Sequence, residues 1–313
     1  MTVESHPLPP IPVPCRTAIC IPAHGEPHGL QRTLASIAHL DYPSGLLQVI
    51  VAVDGPDPVL VAVAERHGAD VEVLDSNRGS YAARNAALQH VDHDAEVVAF
   101  VDADVEVSPG WLSAHVAALQ RAHISGGAFR FRFSDPPRPA EHVDSVRHLK
   151  QQLSVEHLGY VITGNFAARK KVFDELRFDE RLRSGGDRDF GIRARGAGWT
   201  VAYAEDAWVW HEARSSTRAL LKKVARIAAG IQQLRAIDAY QPAVRNYRRI
   251  SAVASGRQER RSQGLWWDLQ VVVLDQLCNL VWARRAPSAL LPAIARRLSA
   301  RSPLSTSPHA SDR

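Results

Sequence analysis

Cysteine is scarce: the 313 residues contain three, Cys15, Cys20 and Cys278, at unrelated spacings. That excludes a disulfide framework and a zinc pattern, and it fits a reduced, cytoplasmic setting. Long apolar runs are also lacking. The most apolar stretch, Leu265 to Ala283, is interrupted by Asp268, Gln270, Asp275, Gln276 and Asn279. Two carboxylates at mid-membrane depth are costly, so no transmembrane helix is expected. Met1 to Pro14 carries Glu4, His6 and five prolines but no apolar segment preceded by positive charge. It reads as an extended polar leader and not as a signal peptide. No Gly-x-Gly-x-x-Gly follows the first strand, which argues against a dinucleotide-binding oxidoreductase. Internal repeats are absent as well.

What is present is ordinary for a globular protein, with 45% hydrophobic and 23% charged residues. The formal charge of +5 is unevenly placed. Residues 241–313 hold 12 arginines and no lysine against Glu259, Asp268, Asp275 and Asp312, a net of +8 that leaves −3 for residues 1–240. A basic partner surface, if any, belongs to the last quarter.

From Thr17 to Asp104 short β-branched runs alternate with helical periodicity, the mark of βαβ units and a mostly parallel, doubly covered sheet. The strands are Thr17–Pro22, Leu47–Val53, Ala69–Leu74 and Ala95–Val101. Helical stretches lie around Leu30, Leu34 and Ile37, at Val59 to Arg66 and at Tyr81 to Val91. Further on, Gly126–Phe133 reads as a strand, His142–Gln152 as a helix, Tyr160–Ala168 as strand and turn, Asp187–Ala197 as a helix and Trp199–Ala204 as a strand. From Arg214 the pattern is helical, Ile250–Gly264 reads as a linker, and Leu265–Arg285 and Ala289–Leu298 read as amphipathic helices before a Ser/Pro-rich end. In such sheets ligands bind beyond the carboxyl ends of the strands. Those ends are Pro22-Ala-His-Gly-Glu26, Asp54-Gly-Pro56, Asp75-Ser-Asn-Arg-Gly-Ser80 and Asp102-Ala-Asp104.

Each motif alone has a plainer reading. Asp102-Ala-Asp104 is a solvated turn, Asp54-Gly55 a tight turn, Arg84 an exposed helical arginine, and His211 beside its tryptophans a packed side chain. In order along one chain, however, Ile-Pro-Ala-His-Gly-Glu26, Val-Asp-Gly-Pro56, Asn77-Arg-Gly-Ser-Tyr-Ala-Ala-Arg-Asn85, Asp102-Ala-Asp104, Thr163-Gly-Asn165, Gly186-Asp-Arg-Asp189 and His211 resemble a family 2 glycosyltransferase of the GT-A fold. The resemblance covers roughly Thr17 to Leu221.

It implies an α/β GT-A nucleotide-diphospho-sugar transferase fold, a mixed, mostly parallel sheet flanked by helices, with a C-terminal helical appendage. The expected divisions are a leader at 1–15, the transferase domain at 16–235, a basic helical region at 236–301 and a disordered tail at 302–313. The implied reaction is inverting transfer of a sugar from a nucleotide-diphosphate donor, UDP-linked, to an acceptor hydroxyl. The resemblance assigns Asp104, Asp102 and His211 to a divalent cation, Mg²⁺ or Mn²⁺, whose hard oxygen-ligand preference suits paired carboxylates leaving a strand. It assigns Pro22, Ala23, Glu26, Asp54, Arg84 and Asp102 to the donor and Asp187 to the role of base.

The sequence departs from the family pattern at Gly186, where a glutamate ordinarily precedes the base. That loss motivates a second reading, a non-catalytic nucleotide-sugar-binding or scaffold protein. A Gln-x-x-Arg-Trp motif is missing too: Gln232-Gln-Leu-Arg235 is followed by Ala236, and Gln263-Gly-Leu-Trp-Trp267 lacks the arginine. A single-addition enzyme is therefore expected over a processive synthase. Expected partners are the donor, an unidentified hydroxyl acceptor and an anionic membrane surface met by the C-terminal helices, with the protein cytoplasmic or peripheral on the inner face. No nucleic acid is expected.

Overall fold

The central strands are apolar on both faces, and alternation decides which layer each residue enters. A computed structural model of the chain describes residues 6–236 and 264–285. In β1 (Thr17–Ala23) Ile19, Ile21 and Ala23 point into one core while Ala18 and Cys20 point into the other. The same split runs through β2 (Leu47–Val53) and β4 (Val97–Val101), where Val97, Ala99 and Val101 oppose Val98 and Phe100. Each valine, isoleucine and phenylalanine among them contributes about 1.5–3 kcal/mol by leaving water.

The helices that cover these faces follow in order. α1 (Pro27–Ile37), α2 (Pro58–Arg66) and α4 (Trp111–Ala118) cover the first, burying Leu30, Leu60 and Trp111. Asp57 caps α2, accepting from the amides of Val59 and Leu60, with Pro58 opening the helix. α3 (Ser80–Ala87), the short α7 (Lys170–Glu175) and α8 (Gly186–Gly196) cover the second. There Phe100, Phe166, Phe173, Phe178 and Phe190 form an aromatic cluster, with Phe178 and Phe190 4.8 Å apart between centroids.

Eight strands form one sheet in the order β3-β2-β1-β4-β7-β6-β8-β5, adding β3 (Asp70–Val73), β5 (Val105–Val107), β6 (Ile124–Arg132), β7 (Asn165–Arg169) and β8 (Val201–Glu212). β1, β2, β3 and β4 are parallel to one another, and β6 is parallel to β8; β7 runs antiparallel to β4 and β6, and β5 antiparallel to β8. The chain leaves β1 toward β2 on one side and returns to β4 on the other. This reversal opens a crevice at the carboxyl ends of β1 and β4, where Pro22–Glu26 and Asp102–Asp104 lie.

Several boundaries differ from the sequence expectation. The helix expected over His142–Gln152 is two pieces, α5 (Pro139–Arg147) and a turn, α6 (Gln151–Leu153), that continues into a π-helical turn at Ser154–Leu158. Leu149 between them has φ +55°, which no helix continues through. Tyr160–Gly164 is not strand, and β7 begins at Asn165. β8 runs on to Glu212, because pairing with β5 and β6 extends the strand expected to end at Ala204. The leader, from His6 on, docks: His6 stacks on Trp199 at 3.4 Å and Pro9 accepts from Arg169 at 2.5 Å.

The last elements are α9 (Thr217–Ala236) and α10 (Leu265–Arg285), which pack with α5 around Leu220, Val224, Leu274 and Cys278. No described helix is long and apolar enough to cross a membrane. Most of the expected Ile250–Gly264 linker, the Ala289–Leu298 helix and the tail after Arg301 lie outside the described residues. Within α10 the bases are Arg284 and Arg285 against Asp268 and Asp275, and the other arginines of the expected basic region lie outside the described residues.

Asn165 ties the second half of the sheet together. Its amide donates to the carbonyls of Ala128 at 2.8 Å and Ala207 at 3.0 Å, and its oxygen accepts from Trp111 Nε1 at 2.7 Å. Asn165→Ala strands these groups in a dry core, each at about 1–3 kcal/mol. Urea denaturation should show a loss of at least about 3 kcal/mol, and a loss under about 1 kcal/mol would show that the network is dispensable.

Candidate active site

A cavity of about 1710 Å³ opens at the crevice between β1 and β4 and runs on between α5, α9 and α10. Pro22, Glu26, Arg84, Asp102, Asp104 and Asp187 line it. Ala23, Asp54 and His211 are buried and do not line it.

Asp102 leaves β4 and meets Arg84, whose guanidinium donates to its Oδ1 at 2.5 Å. Arg84 is itself buried, over the ring of Tyr81 and donating to the Ser80 carbonyl. Its principal partner is thus a carboxylate of this chain. On the other side, a β-carbon on Gly164 would stand 2.6 Å from Asp102 Oδ2, so glycine is required for the carboxylate to sit where it does. Thr33 of α1 donates to the Val105 carbonyl at 2.6 Å and anchors the strand that follows Asp104. The sequence reading did not single out Thr33, which looks like an ordinary helical residue.

Asp104 faces His211, with Nε2 4.0 Å from Oδ2. Burial lowers the His211 pKa, which favours the neutral imidazole, and its Nδ1 is buried without a hydrogen-bond partner among the described residues. An imidazole whose Nε2 faces a carboxylate is a donor set that Mg²⁺ or Mn²⁺ accepts. Among the described residues, three such side chains do not converge into a ready-made cluster. The set fits a cation whose remaining ligands are phosphate oxygens and water, the habit of Mg²⁺ sites on nucleotides.

Asp187 lies in the first turn of α8, reached through Gly185 at φ +85°. Burial raises its pKa above the ordinary carboxylate value, against the opposing pull of Arg188 and Arg84. Its Oδ1 accepts from the Arg188 amide at 2.9 Å. The glycine before it has a packing cause: a β-carbon on Gly186 would lie 2.7 Å from the ring of Tyr81. Tyr81 fills the volume that a larger residue would need, and its hydroxyl accepts from the Asp187 amide at 3.4 Å. Asp189 turns away and pairs with Arg193 at 2.7 Å, as expected of a residue two positions on in a helix.

The model of Glycosyl transferase family 2 matches residues 18–177. The chain belongs to this family. Among relatives of this glycosyltransferase is the glycosyltransferase AglE of Haloferax volcanii, 28% identical over 229 residues that cover 71% of this chain and 74% of that one. The pre-mycofactocin glycosyltransferase of Mycobacterium tuberculosis is 29% identical over 227 residues, 68% of this chain and 46% of the relative. Two solved structures share the GT-A fold at a TM-score of 0.54. Staphylococcus aureus TarS is 17% identical, and the match covers 91% of this chain and 53% of that one. The mannosyltransferase PcManGT of Pyrobaculum calidifontis, solved with GDP-Man and Mn²⁺, is 15% identical, with 91% and 80% covered. The chain thus spans about half the length of TarS and of the mycobacterial relative. A shorter form of TarS, residues 1–349, has been solved with UDP and with UDP-GlcNAc.

The glycosyltransferase also contains contacts that join distant parts of its chain around the site. Asp54 spends its carboxylate on the loop after β3, accepting from the amides of Arg78 at 2.6 Å and Gly79 at 2.8 Å. Asn85 holds the loop before α8, accepting from the Phe178 amide and donating to its carbonyl. Arg183 donates to Asn77 at 2.9 Å, which ties loop 77–79 to loop 178–183. Beyond them, Asp144 is fully buried and accepts from Lys223 at 2.8 Å and from the Arg214 amide at 3.1 Å, with His148 at 2.7 Å. Burial opposes its ionisation, yet His148 and Lys223 hold it well below the usual carboxylate range. The same burial lowers Lys223 to about 8 and His148 to about 4. These partners are 70 or more residues apart in sequence except for His148, and no local spacing announces them.

Gly186→Ala should destabilise the glycosyltransferase by about 1–3 kcal/mol in urea denaturation, the usual cost of overpacking. The same change made on a Tyr81→Ala background should cost much less. Additive losses would mean that the Tyr81 ring is not what confines position 186.

Proposed function

We propose that this chain is a single-addition, inverting glycosyltransferase that uses a UDP-linked sugar and a divalent cation, with Asp187 as its base. One observation carries the reading: Asp102, Asp104 and Asp187, from β4 and α8, line one cavity at the switch point of the sheet. Asp104 and His211, with Asp102 steadied by Arg84, would hold the cation. That cation, when bound, neutralises charge on the departing diphosphate. Glu26 and the backbone at Pro22, which line the cavity, take the nucleoside end of the donor. The UDP assignment is supported by the TarS complexes and the cation by the Mn²⁺ of the PcManGT complex, both of them proteins of the same fold.

In the transfer step the acceptor hydroxyl oxygen attacks C1 of the sugar from the face opposite the diphosphate. The new C1–O bond forms as the C1–O bond to phosphate breaks, and the hydroxyl proton passes to a carboxylate oxygen of Asp187. The elevated pKa of Asp187 makes it a stronger base than an exposed aspartate. Its fixed backbone contacts leave the carboxylate facing the cavity.

Purified protein incubated with Mn²⁺ and UDP-, GDP- and dTDP-sugars should slowly hydrolyse the UDP-sugar. Asp104→Ala or EDTA should abolish this. Asp187→Asn should keep donor affinity within about threefold and lose transfer by about 10²–10⁴. Because the ionised form acts, the acid limb of kcat/KM should lie above pH 4, the ordinary aspartate value, and should disappear in Asp187→Asn. Full activity of Asp187→Asn removes the residue from the mechanism, and turnover in EDTA removes the cation.

A further inference from the structure

Helix α10 is apolar on both sides. Its inner side, through Leu274 and Cys278, packs on α5 and α9. Its outer side leaves Trp266, Leu269, Val272, Val273, Leu277 and Leu280 exposed, Trp266 at 80%. At 3.6 residues per turn these six span an arc of about 140°. A helix hydrophobic all round is normally covered on all sides, so this face requires an occupant.

Two features say which. The arc is much broader than the narrow seam by which two helices zip together. Neither carboxylate of α10 lies in this arc: Asp275 pairs with Arg147 at 2.5 Å with its side chain 40% exposed, and Asp268 is half-buried in the cavity wall, while Arg284 is exposed. Beside it, α9 contains no acidic residue and exposes Arg218, Lys222 and Arg226, four apart along one line. None of the three has a carboxylate within ion-pair distance among the described residues. A broad, mainly apolar face with a tryptophan at one end, an exposed arginine at the other and no carboxylate in its arc, on a helix packed against one that exposes three cations, matches the headgroup region of an anionic bilayer.

We infer that the α9–α10 face is a docking surface for anionic lipid, on which the protein lies without crossing the bilayer. Val272 and Leu280 belong both to the exposed face and to the cavity wall, and Arg226 lines the same cavity. Docking therefore sets the mouth of the cavity against the headgroups. The acceptor hydroxyl then belongs to a membrane-borne amphiphile. The docking stands on α9 and α10 alone; the acceptor assignment rests on the transfer reading above.

The full chain is sedimented with vesicles of phosphatidylcholine alone or with one quarter phosphatidylglycerol, with sedimentation velocity and donor hydrolysis measured in parallel. The wild type should partition at least tenfold more strongly onto the anionic vesicles. Val273→Glu with Leu277→Glu should lose binding to both by tenfold or more. Arg218→Glu with Lys222→Glu should lose only the anionic preference. Neither pair touches the carboxylates of the site, so donor hydrolysis should persist in all. Its absence from the wild type would count against the transfer reading and not against docking. Equal binding by wild type and the Val273/Leu277 variant overturns the inference. So does a wild-type dimer dispersed by that variant, which gives the face to a second copy. A monomer that binds neither vesicle overturns it as well and leaves the face to other segments of the chain.

Discussion

The buried amide of Asn165 is the constraint on which the active site depends. It sits where β4, β7, β6 and β8 meet, and no backbone partner is available to all the groups that converge there. One side chain with two donors and a two-pair acceptor satisfies Ala128, Ala207, Trp111 and His115 together, with His115 at 3.1 Å. A hydroxyl or an apolar residue would leave some of these unpaired in a dry interior. By fixing the start of β7, Asn165 also fixes Gly164, and Gly164 receives the carboxylate of Asp102. The position of a carboxylate at the crevice is thereby inherited from a core hydrogen-bond network.

Charge is distributed along the cavity in the same indirect way. At the crevice the carboxylates Glu26, Asp102, Asp104 and Asp187 dominate, with Arg84 as the embedded cation. Beyond it Arg214, Lys223 and Arg226 dominate, and Asp144 lies behind them as a buried counter-ion. Unpaired burial of Lys223 would be expensive; shared with Asp144, it keeps a cation at the wall while its pKa falls only to about 8. The result is one cavity with a cation-seeking end and an anion-seeking end.

Much of this was legible from sequence because the first half of the fold is built from local units. Apolar runs of β-branched residues became β1, β2 and β4, and the polar residues that closed them became the crevice. The carboxylates at Asp102, Asp104 and Asp187 were marked by their place at the end of a strand or the start of a helix. The second half was read less well. β5 has three residues and exists through its pairing with β8, and β8 is long because two strands flank it. Asp144 joins α5 to Lys223 across 79 residues, and Asp54 reaches amides 24 and 25 residues on. Such partners depend on which surfaces meet, and periodicity is silent on that.

Gly186 shows how a missing motif residue can mislead. Read alone, glycine in place of a glutamate looks like a lost function, and it supported a non-catalytic alternative. In the fold, Tyr81 projects its ring into the space beside position 186 while keeping its hydroxyl on the backbone of α8. The ring that confines position 186 comes from 105 positions away. Asp187 keeps its place at the head of α8, half-buried and lining the cavity. A motif letter is interpreted by what surrounds its position in the fold, and here the space beside it is full.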